Sequence, residues 1–509
     1  MKTIAQRRLF MLFFIGLFII IAPSIVLFAK GYRFDKNFKI FVHSGSITIK
    51  SSPSDIELYL DDKKQKKGNY NIINGAYTIN NVRPGNYNLK CKKDGFTTWE
   101  KNIKVTSGIS TEFWNVFLFP TENKDISLAS NENEEIKQYF LSPRNKNELI
   151  LFSKKDQQNK ISFIDIEKKE SYEIYSTDQY DFLDPDMEEN VEWSSDNKKI
   201  IIPLKSKETA EKIYLLSSVK EDELTQTINL NELFTEKLKT EEENIENPEI
   251  EFEKVRWMFD RKDEFVVLTK DKKLYYFFAD PLKENILLEE NALAFDFAGN
   301  RIYYCQSPNK IIWEIKDNDI KTKRQITNQN INFNEKNGFM KMIAYDEYRI
   351  ALLDEDKNLI VFNEEKELGE EILEKIQENV SDIQFSNDGK KLLYQTENEI
   401  WVLMLRKWET QPTREKNSKI LITRFSQKIS NVQWMDNYEN IVFSIGNSIK
   451  SSEIDNRDKV NVVDLTNLNG EISKREVFYN KDNQILFFIE NGKLFSFPLI
   501  EKTGILGRR

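Results

Sequence analysis

The chain has 509 residues, a net charge of −9 and a pI near 5.3. That balance argues against a nucleic-acid partner, which needs an excess of Lys and Arg on one face. One histidine, His43, and two cysteines, Cys91 and Cys305, exclude histidine-based nucleophilic catalysis and a disulfide framework, and leave little to hold zinc.

The first element is apolar. Leu9 to Ala29 runs about twenty residues without a charge, enough to cross a bilayer as a helix. A signal peptide has an apolar core of roughly 7–15 residues, so the length favours an uncleaved anchor over 9–29 after a short tail, 1–8. Lys2, Arg7 and Arg8 before the run are nearly balanced by Lys30, Arg33, Lys36 and Lys39 after it. The short basic tail points to a cytoplasmic N-terminus, with the bulk of the chain outside the cytoplasmic membrane. Residues 30–44 read as a juxtamembrane linker, and His43 within it as an ordinary polar residue at a strand start.

From 45 to 120 the chain alternates apolar and polar residues in short runs, the pattern of a half-buried antiparallel sheet. Ile47 and Ile49, then Ile56, Leu58 and Leu60, then Tyr87 and Leu89 after the Pro84-Gly85 turn, point to one side. Ile103 and Val105 follow, and Phe113 to Phe119 gives an aromatic last strand. The lysines at 63, 64, 66 and 67 read as a solvated turn. Gly45-Ser-Ile-Thr-Ile-Lys-Ser-Ser-Pro53, Val82-Arg-Pro84-Gly85 and Lys93-Asp-Gly95-Phe96-Thr-Thr-Trp99 stand in the order found in PEGA domains, which this segment resembles. It departs in two turns, with Pro53-Ser54-Asp55-Ile56 for the signature tetrapeptide and Asp61-Asp62 for the usual Asp-Gly. The resemblance implies a small immunoglobulin-like sandwich, export, and an adhesive or spacer role. Trp99, Phe96, Tyr59 and Tyr87 suggest a carbohydrate platform, although aromatic residues at strand positions more often build a core.

From 121 to 500 a degenerate unit recurs: an aromatic strand end, a polar turn, then a strongly apolar strand. The clearest copies begin at Val191 (VEWSSDNKKIII), Val255, Ile383 (IQFSNDGKKLLY) and Val432, with weaker ones at Tyr139, Ala294, Met342 and Val477. Their spacing is that of propeller blades. The units at 193–199 and 385–391 resemble the Trp-Ser-Pro-Asp-Gly-Lys repeats of TolB-like propellers. The expected fold is therefore mainly β: a transmembrane helix, a PEGA-like sandwich and one β-propeller of eight blades, or seven if one copy is misread. The last copy lacks a strand, and Lys124 to Ala129 is expected to supply it and clasp the ring. Leu224–Glu253 reads as a long loop or short helix, Glu365–Val380 as a helical excursion, and 501–509 as a tail.

The parts serve placement, so the expected function is a non-enzymatic envelope protein binding a protein or cell-wall or surface glycan. The alternatives are a propeller-based carbohydrate-active enzyme using paired carboxylates, and an accessory or sensor subunit of a membrane complex. The sequence shows no sialidase box, nucleophile elbow or Walker loop. No catalytic or cofactor-binding residues are expected, and the ligand-binding residues are left open. Asp388 and Asp436 invite calcium, but the spaced oxygen ligands of a calcium loop are missing. No metal or cofactor is expected.

Overall fold

The computed structural model describes residues 4–500 except 36–39, 66–69, 122–125, 130–133, 146, 186–188, 220–226, 242–249, 259, 332–338 and 366–369. The expected C-terminal tail and Lys66 and Lys67 lie outside the described residues.

Helix α1 (Ile4–Ala29) carries the apolar run, and its segment Arg8–Ala29, 22 residues long, is a candidate membrane span. At 1.5 Å per residue it is about 33 Å long, matching a hydrocarbon core of about 30 Å. The last carbonyls of a helix have no partner within it, and here three neighbours take them. Gly31, at φ 87°, turns the chain and donates its N–H to Phe28 O at 3.1 Å. Arg33 Nη1 donates to Phe28 O at 2.9 Å, and the ring Nε2–H of His43 donates to Lys30 O at 2.7 Å. Two strands of the linker, β1 (Tyr32–Asp35) and β2 (Ile40–His43), pair as an antiparallel hairpin.

The next segment folds as two four-stranded sheets. One contains Gly45–Ser52 between Ser110–Phe117 and Ala76–Val82; the other contains Gly85–Lys92 between Glu57–Leu60 and Trp99–Val105. The alternating residues face inward: Ile47, Ile49, Leu58, Leu89, Ile103, Val105 and Phe113 form the core with Cys91 and Trp99. Both cysteines are buried free thiols whose pKa is pushed up by burial.

The repeats form eight sheets, one for each copy seen in the sequence. Blades 1 to 7 occupy residues 134–177, 180–229, 252–289, 292–325, 339–377, 380–424 and 429–467. Blade 8 takes three strands from 477–498, and Ile126–Ala129 pairs antiparallel with Lys493–Pro498 as its outermost strand. The expected clasp between the two ends of the ring is thus present. Every core lies between blades, because each sheet is apolar on both faces. The core joining the last blade to the first contains Phe487, Ile489 and Leu494 from one side and Ile136, Tyr139, Leu149 and Leu151 from the other.

One local reading changes. The expected helical excursion at Glu365–Val380 is corrected over its described part, since residues 366–369 lie outside the described residues: Glu370–Gln377 is the outer strand of blade 5. Leu373 packs towards blade 4 and Ile376 towards blade 6, so the period of two prevails over the helix-forming glutamates. In blade 2 the innermost strand is broken into Tyr180–Phe182 and Glu192–Trp193, both paired with Lys199–Ser206. Within Leu224–Glu253 a helix does form, α2 (Leu230–Glu241). Asn229 caps it by accepting from the N–H groups of Asn231 and Glu232, while Glu232 accepts from its amide. Leu230, Phe234 and Leu238 then pack between blades 2 and 3.

The polar turns of several copies contain a left-handed residue. Asn197 (φ 60°), Gly389 (φ 62°) and Tyr438 (φ 50°) supply it in blades 2, 6 and 7. Blade 6 keeps glycine because the ring of Tyr345 from blade 5 lies against it: an added Cβ would sit 2.3 Å from the ring. Gly389→Ala is therefore expected to cost about 2–4 kcal/mol in denaturant unfolding, from left-handed strain and overpacking together. In a Tyr345→Leu background the steric share should disappear. Equal costs in both backgrounds would refute the contact as its cause.

Candidate functional site

The innermost strand of each blade presents its free edge to the axis, where unpaired backbone groups must be satisfied. In four copies the residue before the aromatic does this across the blade boundary. Glu192 accepts from Trp257 N at 2.7 Å, Gln384 from Trp434 N at 3.1 Å and Gln433 from Tyr479 N at 3.0 Å. The shorter Asp296 reaches one residue less far, to Ala344 N at 2.9 Å. In blade 3 the equivalent residue is Arg256, which pairs with Glu192 behind it and with Asp296 ahead at 2.7 Å.

A second set of joints uses the first residue of the second strand, the last lysine of the sequence motif. It reaches the turn of the following blade: Lys199 meets Asp263 at 2.7 Å, Arg301 meets Glu347 at 3.2 Å and Lys391 meets Glu439 at 2.5 Å. Arg349 donates to Gly389 O at 2.8 Å in the same way.

The ring encloses an axial cavity of about 840 Å³ to which all eight repeats contribute lining residues. Aromatic rings, among them Phe140, Trp193, Phe297 and Phe385, lie where the inner strands end; Lys341, Asp382, Asn431 and Arg475 lie where they begin. Burial would raise the pKa of Asp382, but Lys341 at 2.5 Å and Lys474 hold its carboxyl below the ordinary range. Two buried polar atoms of the lining, Trp193 Nε1 and Gln395 Oε1, have no hydrogen-bond partner among the described residues.

The sandwich docks on one face of this ring. Lys101 is fully buried, with Nζ 2.7 Å from Glu453 and donating to the carbonyls of Asp455, Arg457 and Lys459 at 2.7–3.0 Å. Trp99 Nε1 donates to the other oxygen of Glu453 at 2.9 Å. Arg457 donates to Glu112 O and covers the ring of Phe113, while Gln411 donates to Ser110 O. Phe117 and Phe119 enter the core between blades 7 and 8. Gln411 and residues 454–461 lie in the connections from third to fourth strand of blades 6 and 7. In an antiparallel meander these share a face with the turns after the inner strands. The beginnings of the inner strands, and α2, belong to the opposite face.

The sequence candidates fall as follows. Trp99 is in the sandwich core and the interface, Phe96 and Tyr87 pack against that core, and the Tyr59 hydroxyl donates to Glu57. These four do not form an open platform. Asp388 accepts from Ser386 Oγ at 2.6 Å and Lys390 N at 3.0 Å within its turn. Asp436 accepts from Tyr479 and Gln484 of the next blade. Among the described residues no group of three His, Cys, Asp or Glu side chains is placed to hold a metal ion. His43 differs from its expected role, because it closes the end of α1. The docking residues were missed: Lys101 alternates like any solvated lysine, and its partners lie about 350 positions away.

The PEGA domain model matches residues 44–117. No curated protein matches the chain. Among solved structures, the chain is similar to the C-terminal WD40 domain of Sif2, at 9% identity and a TM-score of 0.47, covering 74% of this chain and 98% of that one. It is also similar to the Dos1 propeller (12%, 0.47, 75% and 95%) and to the Myceliophteria thermophila Cps50 (Swd1) β-propeller domain (8%, 0.40, 73% and 99%). At these scores the likenesses add nothing to the sheet topology, which defines the propeller by itself. The class is therefore a candidate single-span protein in which a PEGA-like sandwich is docked on an eight-bladed β-propeller.

Removing one partner of a buried ion pair leaves the other uncompensated. Lys101→Met is expected to destabilise the docked state by about 3–5 kcal/mol, read by thermal unfolding and by proteolysis between sandwich and ring. Adding Glu453→Leu should recover part of the loss, and strictly additive costs would show that the pair is not coupled.

Proposed function

We propose that this is a non-enzymatic protein of the cell envelope, held by α1 in the cytoplasmic membrane with sandwich and propeller on the outer side. It binds a protein or glycan partner through the propeller face opposite the sandwich. The observation that carries this reading is the asymmetry of the ring. One face is occupied by the sandwich, while the axial cavity extends to residues that begin the inner strands on the other. Gln395 Oε1, near the free-face end of a second strand and without a hydrogen-bond partner among the described residues, supports a ligand with hydrogen-bonding groups, since buried polar atoms are otherwise nearly always paired. The single apolar helix and the PEGA match at 44–117 support the envelope location.

Two measurements test this. A C-terminal epitope tag should be removed by protease in intact cells or spheroplasts; survival until the membrane is dissolved would invert the topology. A photo-crosslinking residue at Asn431, beside the cavity on the free face, should give discrete adducts in living cells. The same residue at Leu421, on an outer strand, should not. Equal adducts at both positions would overturn the face assignment, and Gln395→Leu should weaken the Asn431 adduct without unfolding the ring.

A further inference from the structure

The β1–β2 hairpin has an unusual surface for its size. Register places Tyr32 opposite His43 and Phe34 opposite Phe41, so four rings share one face of the ribbon. Tyr32 and His43 meet at 5.0 Å, and Phe34 and Phe41 meet edge to face at 5.4 Å. Yet Phe34 and Phe41 remain 47% and 49% exposed, and Ile40 on the other face 55%. A two-stranded hairpin is marginal in water at best, and one that leaves three large apolar side chains open needs a cover.

The position of the hairpin decides what that cover is. Its root is fixed to the end of α1: His43 holds Lys30 O, Arg33 holds Phe28 O, and the Arg33 guanidinium lies 3.7 Å from the Phe28 ring centre. Arg33 also donates to Asn81 of the sandwich at 2.5 Å. With α1 filling the hydrocarbon core, the root lies at its edge. Phe34 and Phe41 are two residues from the root, at most about 7 Å along a strand. The headgroup layer is itself about 5–8 Å deep on each side. Whatever direction the ribbon takes, these rings stay within or beside that layer. Aromatic residues favour this zone, and Lys30 and Arg33 beside them suit anionic headgroups. Ile109, 53% exposed, follows Gly108, which lies against the ring of His43.

We infer that the β1–β2 hairpin is a membrane-surface element that seats Phe34, Phe41 and Ile40 in the headgroup–acyl boundary of the bilayer spanned by α1. It thereby fixes the tilt of sandwich and propeller over the lipid. This rests on α1 being a span, so the test separates the two.

The full chain is reconstituted in phosphatidylcholine vesicles containing phosphatidylserine, with a nitroxide label on one introduced cysteine at a time. Phe34→Cys and Phe41→Cys probe the hairpin, Leu17→Cys the helix, and Leu282→Cys an open site on the propeller. The buried Cys91 and Cys305 leave the unmodified chain as an unlabelled control. Collisions with oxygen and with a water-soluble nickel complex report depth. At 34 and 41 the nickel collisions should be several-fold lower than at 282 and the oxygen collisions higher, at a depth shallower than 17. If 17 lies in the core while 34 and 41 match 282, the hairpin assignment fails and the span stands. If 17 also matches 282, both fail. Labels shielded from both reagents would mean contact between copies of the chain and would overturn the lipid assignment.

Discussion

Closure is the constraint on which everything else in this molecule depends. Each four-stranded sheet is apolar on both faces, so an open stack would expose a whole face at each end. The chain meets this with the core of Phe487, Ile489 and Leu494 against Ile136, Tyr139, Leu149 and Leu151, and with one strand borrowed from the start of the ring. The axial cavity exists only because that last joint is made. So does the division into one occupied face and one open face.

Apolar contact between blades sets their spacing but not their order or rotation, because dispersion and desolvation have little direction. The polar joints supply direction at two radii. Near the axis, Glu192, Asp296, Gln384 and Gln433 each take a backbone N–H of the following blade. Further out, Lys199, Arg301, Arg349 and Lys391 grip the following turn. Lys101 extends the same device beyond the ring, with a buried ammonium surrounded by carbonyls and the carboxylates of Glu453 and Asp455. Such a group tolerates little displacement, since a buried charge that loses its partners is costly.

Much of this was legible in the sequence because it is periodic. Alternation gave the sandwich, the Trp/Phe-turn-strand unit gave all eight blades, and the shortage of strands in the last copy gave the clasp. The polar residue before the aromatic in most copies and the final basic residue of the motif were visible as letters. Their partners were not, since those lie in the next repeat at positions set only once the ring exists. The outer strand Glu370–Gln377 was misread because charged residues alternating with Ile372, Leu373 and Ile376 fit both periods over so short a run. Neither Lys101 nor His43 carries any local signal. Each acquires its role from a segment remote in the chain or from a helix end.

The placement of the sandwich also bears on how the molecule carries mechanical load. Tension arriving through α1 passes by Arg33 and His43 into the sandwich, and from there through Trp99, Lys101 and Phe117 into blades 6 to 8. The strand Ile126–Ala129, which follows the sandwich in the chain and locks the ring, is bypassed. A tug on α1 is thus borne by a charged and aromatic joint rather than by the strand that closes the ring.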